Sequence, residues 1–314
     1  MKRYLVTGGA GFIGSHLVRA LLEQGDFVRV LDNFSTGKHE NITPLEGLYD
    51  WRYEVMEGDL RDRGAVAEAV LDIDIIFHEA AFVSVPQSME DPLPCFEINQ
   101  RGTEYLLEAA RKAGVKRVVL ASSSAVYGDS DLQPLEEHFP LRPFSPYAVS
   151  KRVDELYAEM YTRSFGLEVV ALRYFNVYGP RQRPDSMYAA AVPIFTRRLL
   201  DGKPVTIYGD GGQTRDLVYV GDIVRANLAA SAHPDAPGQV FNVCGGQEIR
   251  IIDLVETLMD FFPNAPAPEF APARSGDIYR SVGSPKKAAE VLGFTPQTSL
   301  EEGLKAVIDW MRKG

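Results

Sequence analysis

Short apolar runs alternate along the chain with stretches where apolar residues recur every three or four positions. Residues 4–6 (YLV) form an apolar run that ends in glycines. Ile13, Leu17 and Leu21 then fall at i, i+4 and i+8, with Val18 and Leu22 beside them, which is one face of a helix. Gly25 follows as a stop. Residues 27–31, 53–56, 73–77 and 115–121 read as further buried strands, and 102–113 as a helix between two of them. Strands alternating with helices build βαβ units and a parallel sheet, and the right-handed crossover rule makes a doubly wound sheet the first topology to expect.

After about residue 173 the rhythm changes. Residues 179–187 (GPRQRPDSM) are polar, proline-rich and basic, and 263–276 form a second Pro/Ala-rich stretch. The expected fold class is α/β: a doubly wound parallel sheet over 1–173, joined again by segments around 216–245, and a smaller mixed α/β region over 174–314 that covers a substrate. A length of 314 residues suits such a division, since single cores rarely grow past roughly 250–300 residues.

Composition narrows the partners. With 45% hydrophobic and 24% charged residues the chain is an ordinary globular one. Its net charge of −10 argues against a general nucleic-acid binder, which needs a basic surface, though a few arginines can reverse the field inside one cleft. Cys95 and Cys244 stand far apart and outside any CxxC or Cys/His cluster, so buried reduced thiols and no metal site are expected. The N-terminus lacks the apolar stretch of a secretory signal, and no apolar stretch reaches the roughly 18 residues of a membrane span. A cytoplasmic protein without membrane contact is the expectation.

The first candidate chemistry is TGGAGFIG (7–14), where Gly8, Gly11 and Gly14 give GxxGxxG at the first strand–helix junction. Glycine there permits a tight turn, lets backbone N–H groups approach a pyrophosphate and lets the helix pack close to the strand, while the helix N-terminus adds partial positive charge. Asp32 closes the second strand eighteen residues after Gly14, placed to accept hydrogen bonds from the adenosine ribose and to repel a 2′-phosphate. The run after it begins without a basic residue, Lys38 being the nearest cation, so NAD is expected over NADP. Asp59, in the turn after the third strand, is placed to reach the adenine.

Tyr147 and Lys151 are spaced YxxxK, one turn apart on one helix face. A phenol titrates near about 10. A neighbouring ammonium and a nicotinium ring favour the phenolate, which makes a general base. Residues 122–124 (SSS) end a strand, where hydroxyls face the ligand crevice and can relay a proton.

With these residues in hand the sequence resembles the extended short-chain dehydrogenase/reductases, and within them the UDP-hexose 4-epimerases. TGGAGFIG (7–14), LDNFSTG (31–37), HEAA (78–81), SSSAVYG (122–128), YAVSK (147–151), RYFNVYGPRQ (173–182), GDGGQTRD (209–216) and ARSGD (273–277) follow the family's motifs in the family's order, nearly end to end. The resemblance implies a Rossmann fold and tightly bound NAD, held by Gly8, Gly11, Phe12, Ile13, Gly14, Asp32, Asn33, Phe34, Ser35, Thr36, Gly37, Asp59, Leu60, Ala80, Ala81, Asn99, Tyr147, Lys151 and Tyr174. It implies Tyr147 as base, Lys151 as its electrostatic partner and ribose ligand, and Ser123, with Ser124 as the close alternative, as the hydroxyl beside the reacting carbon. For the substrate it implies Asn176 and Arg215 on the diphosphate, Arg274 on phosphate and Asp277 on a ribose hydroxyl. Tyr208 would lie by the uridine and Val192 by the uracil edge. Arginine suits phosphate oxygens on independent grounds.

Departures from the pattern bear on the reaction. Related dehydratases carry Asp-Glu after the serine-position hydroxyl and related decarboxylases a glutamate; here Ser124 and Ala125 stand there, which favours epimerisation. Ser84 opens a segment (84–88, SVPQS) that resembles epimerases of N-acetylated sugars. Ser281 falls where strict glucose/galactose epimerases carry a tyrosine, leaving room for a 2-acetamido group. The expected reaction is redox-neutral epimerisation at C4 of UDP-GlcNAc/UDP-GalNAc and UDP-glucose/UDP-galactose through a 4-keto sugar. A UDP-glucuronate epimerase or another nucleotide-sugar enzyme of the same scaffold is the alternative, and a catalytically silent NAD-binding module the third reading. Relatives pair as homodimers through two helices per subunit, here those over 102–113 and around Tyr147.

Overall fold

The computed structural model describes residues 1–45, 47–184, 190–273 and 278–313. Six strands arise in the first part: β1 (Arg3–Thr7), β2 (Phe27–Asp32), β3 (Tyr53–Glu57), β4 (Ile75–His78), β5 (Arg117–Ser123) and β6 (Glu168–Tyr174). Short strands follow as β7 (Asn176–Tyr178), β8 (Thr206–Tyr208), β9 (Thr214–Arg215) and β10 (Leu217–Tyr219), then β11 (Val240–Val243), β12 (Ile249–Arg250) and β13 (Glu269–Ala271). The central sheet has seven strands in the order β11-β6-β5-β4-β1-β2-β3, every pairing parallel. The order reverses between β1 and β4, so a ligand crevice opens beyond their C-terminal ends.

The helices are α1 (Phe12–Glu23), α2 (Arg63–Ala69), α3 (Val85–Glu90), α4 (Pro92–Cys95), α5 (Thr103–Ala113), α6 (Pro146–Met160), α7 (Ala191–Leu200), α8 (Val220–Ala232), α9 (Ile251–Met259), α10 (Lys286–Leu292) and α11 (Leu300–Met311). Period-two alternation explains why the sheet is covered on both faces. Tyr4, Val6, Val119, Ala121, Val170 and Leu172 enter one core with Leu17, Leu21 and Ile223 from α1 and α8. Their strand neighbours Leu5, Val118, Leu120, Val169 and Ala171 enter the other with Leu106 and Leu107 of α5. Each such aliphatic side chain taken from water stabilises the fold by about 1.5–3 kcal/mol.

Two strand starts differ from the sequence pattern. Ile73 and Val115 precede β4 and β5, because Asp74 turns to receive the backbone N–H of Arg3 and Val115 closes α5 by donating to Ala110 after left-handed Gly114. The helix expected over 102–113 is the end of a longer helical run, continuing from a π-turn over Phe96–Gly102. A third core gathers α7, α9 and α11 around Tyr178, Ile207, Leu254 and Leu304. Segments 220–232 and 240–243 return to the sheet, α8 against α1 and β11 as its edge strand. Cys95 and Cys244 are free, buried thiols. Among the described residues no helix is long and apolar enough to cross a membrane, and no cluster of metal-ligating side chains occurs.

Candidate active site

The glycine loop sits at the switch point. Gly8 takes φ +68°, and a Cβ there would meet the Ala80 nitrogen at 2.7 Å, so β1 and the end of β4 touch backbone to backbone. A Cβ on Gly14 would be driven into the Gly8 carbonyl, whereas one on Gly11 would meet only the Gly8 oxygen, at 3.0 Å. The loop is therefore closed on the side of the strand and open above Gly11. Helix α1 starts from Gly11 with no side-chain cap and no acidic residue in its first turn, so its leading N–H groups remain for an anion. Phe12 meets the ring of His16 edge-on, and Ile13 packs on the core below.

Asp32 is buried and accepts from the backbone N–H of Ala10 at 2.9 Å and of Phe34 at 2.8 Å. Burial raises its proton affinity, opposed by those two bonds. Two carboxylate oxygens offer about four lone-pair sites, so capacity for a ribose diol remains. Gly37 closes over this carboxylate; a Cβ there would come within 2.9 Å of both oxygens. Asn33 donates to Asp59 at 2.7 Å and holds Ser35 through its own oxygen, while Arg61 keeps the Asp59 carboxyl well below the usual carboxylate range. Thr36 is exposed on this rim and Leu60 is buried beneath it. Lys38 pairs with Glu40 at 3.0 Å, so the nearest cation already has a counter-ion. These residues fit a dinucleotide with an unphosphorylated ribose.

The next group lies at the end of β5. Ser122 is spent on structure, donating to Glu155 at 2.8 Å. Ser123 accepts from the Ala125 N–H at 3.2 Å and caps the tight turn that Ser124 begins. Its hydroxyl hydrogen stays available. Helix α6 starts at Ser145 and Pro146, and the Tyr147 N–H donates to Ser88 at 3.3 Å. Ser84 caps α3 through the Gln87 N–H. The 84–88 segment thus braces the turn of α6 that carries Tyr147.

One turn on, Lys151 is 4% exposed and donates to the Ala121 carbonyl at 2.7 Å and to Asp154 at 3.3 Å. Burial works to lower its pKa, but Asp154, Tyr147 and Glu79 outweigh it and hold the ammonium above the usual lysine value. Asp154, fully enclosed, is pushed up to about 6 by burial against the pull of Lys151 and the Thr103 hydroxyl.

Behind Asp154 runs a polar chain to the glycine loop. His78 bonds Thr7 at 2.7 Å through Nδ1 and Thr103 at 2.9 Å through Nε2. Burial lowers its pKa to about 3, so the ring is neutral and one nitrogen must accept. The Ala80 N–H in turn donates to Thr7 at 3.3 Å. Glu155 and Arg173 form a two-bond ion pair at 2.7 and 2.9 Å that fastens α6 to β6, and Arg173 continues to the Tyr127 hydroxyl at 2.7 Å.

Asn99 clamps the Phe82 backbone at both ends of its amide and reaches Ser150, which holds the strand end that bears Ala80 and Ala81. The Tyr174 hydroxyl donates to Glu79 at 2.8 Å. Asn176, on β7, donates to the Asp216 carbonyl from both backbone and side chain. Arg215 bonds the Thr214 and Ile278 carbonyls, Tyr208 is partly exposed at the end of β8, and Val192 is buried on α7. Ser281 is half-buried beside Val282, whose N–H donates to Gln133. Arg274 and Asp277 lie outside the described residues.

Sequence reasoning missed Glu79, Asp154 and Asp216. Asp216 is the hub between the sheet and the C-terminal part: it accepts from the N–H groups of Gly245, Gly246 and Gly283, while its own carbonyl serves Asn176. Two of the three stood inside quoted motifs, but only the fold shows that they turn inward.

The profile of the NAD dependent epimerase/dehydratase family matches residues 4–244. The chain belongs to this family. It is 41% identical to the UDP-glucose 4-epimerase of Mycolicibacterium smegmatis, over 99% of this chain and 98% of that one. The UDP-glucose 4-epimerase of Thermotoga maritima, solved with UDP-glucose, is 39% identical with a TM-score of 0.92, covering 99% of both chains. The UDP-N-acetylglucosamine 4-epimerase of Methanobrevibacter ruminantium is 37% identical with a TM-score of 0.94, covering 99% and 98%. Within this family the cofactor is NAD, in agreement with Asp32 and the glycine loop.

Proposed function

We propose that the protein is a 4-epimerase of UDP-hexoses, interconverting UDP-GlcNAc with UDP-GalNAc and UDP-glucose with UDP-galactose. The observation that carries the reading is the pairing of Tyr147 and Lys151 on α6 with a β5 end that bears hydroxyls and no acid, Ser123 being followed by Ser124 and Ala125. An eliminating or decarboxylating relative needs an acid there; a group that only takes and returns one hydroxyl proton does not.

NAD, when bound, supplies the acceptor and later the donor of the C4 hydride. Tyr147, held as the phenolate by the Lys151 ammonium, takes the C4 hydroxyl proton with the help of Ser123, becomes the neutral phenol and returns that proton when the keto sugar is reduced; Lys151 also holds a ribose. The UDP half anchors the ligand through Asn176 and Arg215, with Tyr208 and Val192 about the uridine. The sugar is held loosely enough that its 4-keto form turns over and receives hydride on the other face. Binding energy far from the reacting carbon is thus used for positioning. Residues 174–314 serve as the sugar-nucleotide region, with 216–245 belonging to the dinucleotide half. Ser281 leaves space for a 2-acetamido group.

The protein acts as a homodimer in this reading. Val149, Leu156 and Met160 are exposed along α6, and Leu93 and Phe96 are exposed on the helical run leading into α5. Positions 149, 153, 156 and 160 recur at helical spacing, an apolar stripe of the kind that buries itself against a second copy. The apolar residues concentrate at the start of that run rather than over 102–113, where Glu104, Arg111 and Lys112 face out.

The test is product analysis by NMR after incubating the protein, without added cofactor, with UDP-GlcNAc, UDP-glucose and UDP-glucuronate separately. UDP-GalNAc as a product supports the reading and the role of Ser281. UDP-galactose alone keeps the epimerase and removes the acetamido argument, and turnover of UDP-glucuronate alone replaces the substrate.

A further inference from the structure

One polar cluster in the crevice has no part in the proton transfer. Glu79 directly follows β4 at its C-terminal end, between the glycine loop, which touches the neighbouring Ala80, and the Lys151 side chain. Its carboxylate accepts the Tyr174 hydroxyl at 2.8 Å. Tyr174 is itself fixed from the other side, accepting from the Asn227 amide at 2.7 Å, and Asn227 is held to the Ile223 carbonyl of α8. Three elements therefore orient one carboxyl at the mouth of the sheet. That carboxyl lies just past the C-terminal end of β4, where the strand order reverses and the ligand crevice opens.

We propose that Glu79 is the counter-charge of the nicotinamide: it favours the oxidised, cationic ring over the neutral reduced one, and so keeps the resting protein loaded with NAD rather than NADH. This deepens the reading of the preceding subsection and rests on its placing of a cofactor ribose on Lys151, which sets the nicotinamide at the end of β4 and β5. A carboxylate near the ring stabilises the form that carries positive charge and leaves the neutral form unaffected.

From β6 the carboxyl faces the Tyr174 phenol, from α6 the Lys151 ammonium with Asp154 behind it, and its strand neighbour His78 is neutral. Burial pushes Glu79 up to about 7, opposed by the Tyr174 bond and by Lys151. A cationic ring lowers that value and a neutral ring does not. The preference for NAD over NADH therefore grows from pH 6 to pH 8, as the carboxyl ionises.

The experiment exchanges the bound cofactor of the holoprotein against excess NAD and NADH in known ratios. After desalting, the bound NADH fraction is read at 340 nm, at pH 6 and pH 8. In the wild type the NAD preference rises about tenfold between the two pH values. Glu79→Gln lowers the preference at pH 8 by about tenfold and removes the rise centred near pH 7, leaving the smaller rise from Asp154, which ionises about pH 6. Tyr174→Phe keeps the charge but loses the supporting bond, so the rise moves to higher pH; it serves also if the first variant does not fold. An unchanged ratio in Glu79→Gln overturns the proposal. Lys151→Met separates the two levels of argument, because loss of a cation shifts the ratio toward NAD. If Lys151→Met moves the ratio and Glu79→Gln does not, Glu79 is not the counter-charge. If neither moves it, the placing of the nicotinamide is wrong as well.

Discussion

Replacing Arg173 by methionine tests how the base-bearing helix is held. Arg173 is 2% exposed and gives two hydrogen bonds to Glu155, one to the Glu137 carbonyl at 3.3 Å and one to Tyr127, which passes the chain to Asn242 on β11. Methionine fills most of the volume, so the packing loss is small, and the cost is electrostatic. Glu155 is left enclosed with Ser122 at 2.8 Å and the half-exposed Arg152 at 3.0 Å as its remaining donors. Stranding one partner of a buried ion pair costs about 3–5 kcal/mol, whereas replacing both by apolar residues of similar volume is near neutral. Arg173→Met should lose stability in that range, with a Tm drop on the order of 5–15 °C. The double variant Arg173→Met, Glu155→Leu should recover at least half of the loss. Urea unfolding of the wild type, both single variants and the double variant measures the coupling. A single-variant loss below about 1 kcal/mol, or a double variant that merely adds the two single losses, refutes the account of the ion pair as the fastening of α6.

Tyr147→Phe should cut turnover by about 10²–10⁴ while UDP binding, measured by calorimetry, stays within a few-fold. Gly14→Ala should weaken NAD binding at least about tenfold with the sugar-nucleotide site intact, because its Cβ collides with the Gly8 carbonyl and displaces the loop. Asp216→Ala should cost about 2–3 kcal/mol by leaving the buried Gly283 N–H and the partly buried N–H groups of Gly245 and Gly246 without their acceptor, which denaturant titration reads directly. Burial pushes the Asp216 carboxyl up to about 7 in the folded protein, against about 3.9 unfolded. The native state therefore binds a proton that the unfolded state releases, and this contribution is present in full below about pH 4 and lost as pH rises through about 7. The fall in stability across that window should be shallower in Asp216→Asn than in the wild type. Leu156→Arg should turn a dimer into a monomer in light scattering if α6 forms the pairing surface.

The periodicity of the chain was enough for the doubly wound sheet, because burial on both faces and helix amphipathicity are properties of neighbours in sequence. The glycine loop, Asp32 and YxxxK were legible for the same reason: each is a local spacing whose geometry follows from one turn or one strand end. Strand starts at Ile73 and Val115 were misplaced, since Asp74 and Gly114 act there through partners 71 residues away and through a helix end respectively.

What the tertiary structure alone decided is the inward side of the site. That Ser88 steadies Tyr147, that Asp154 and Glu79 flank Lys151, and that Asp216 gathers three glycines are all contacts between segments distant in the chain. A carboxylate in a motif reads the same in sequence whether it faces water or a lysine. Only folding removes the water, and it is the loss of water that raises Glu79 and Asp216 to about 7 and Asp154 to about 6.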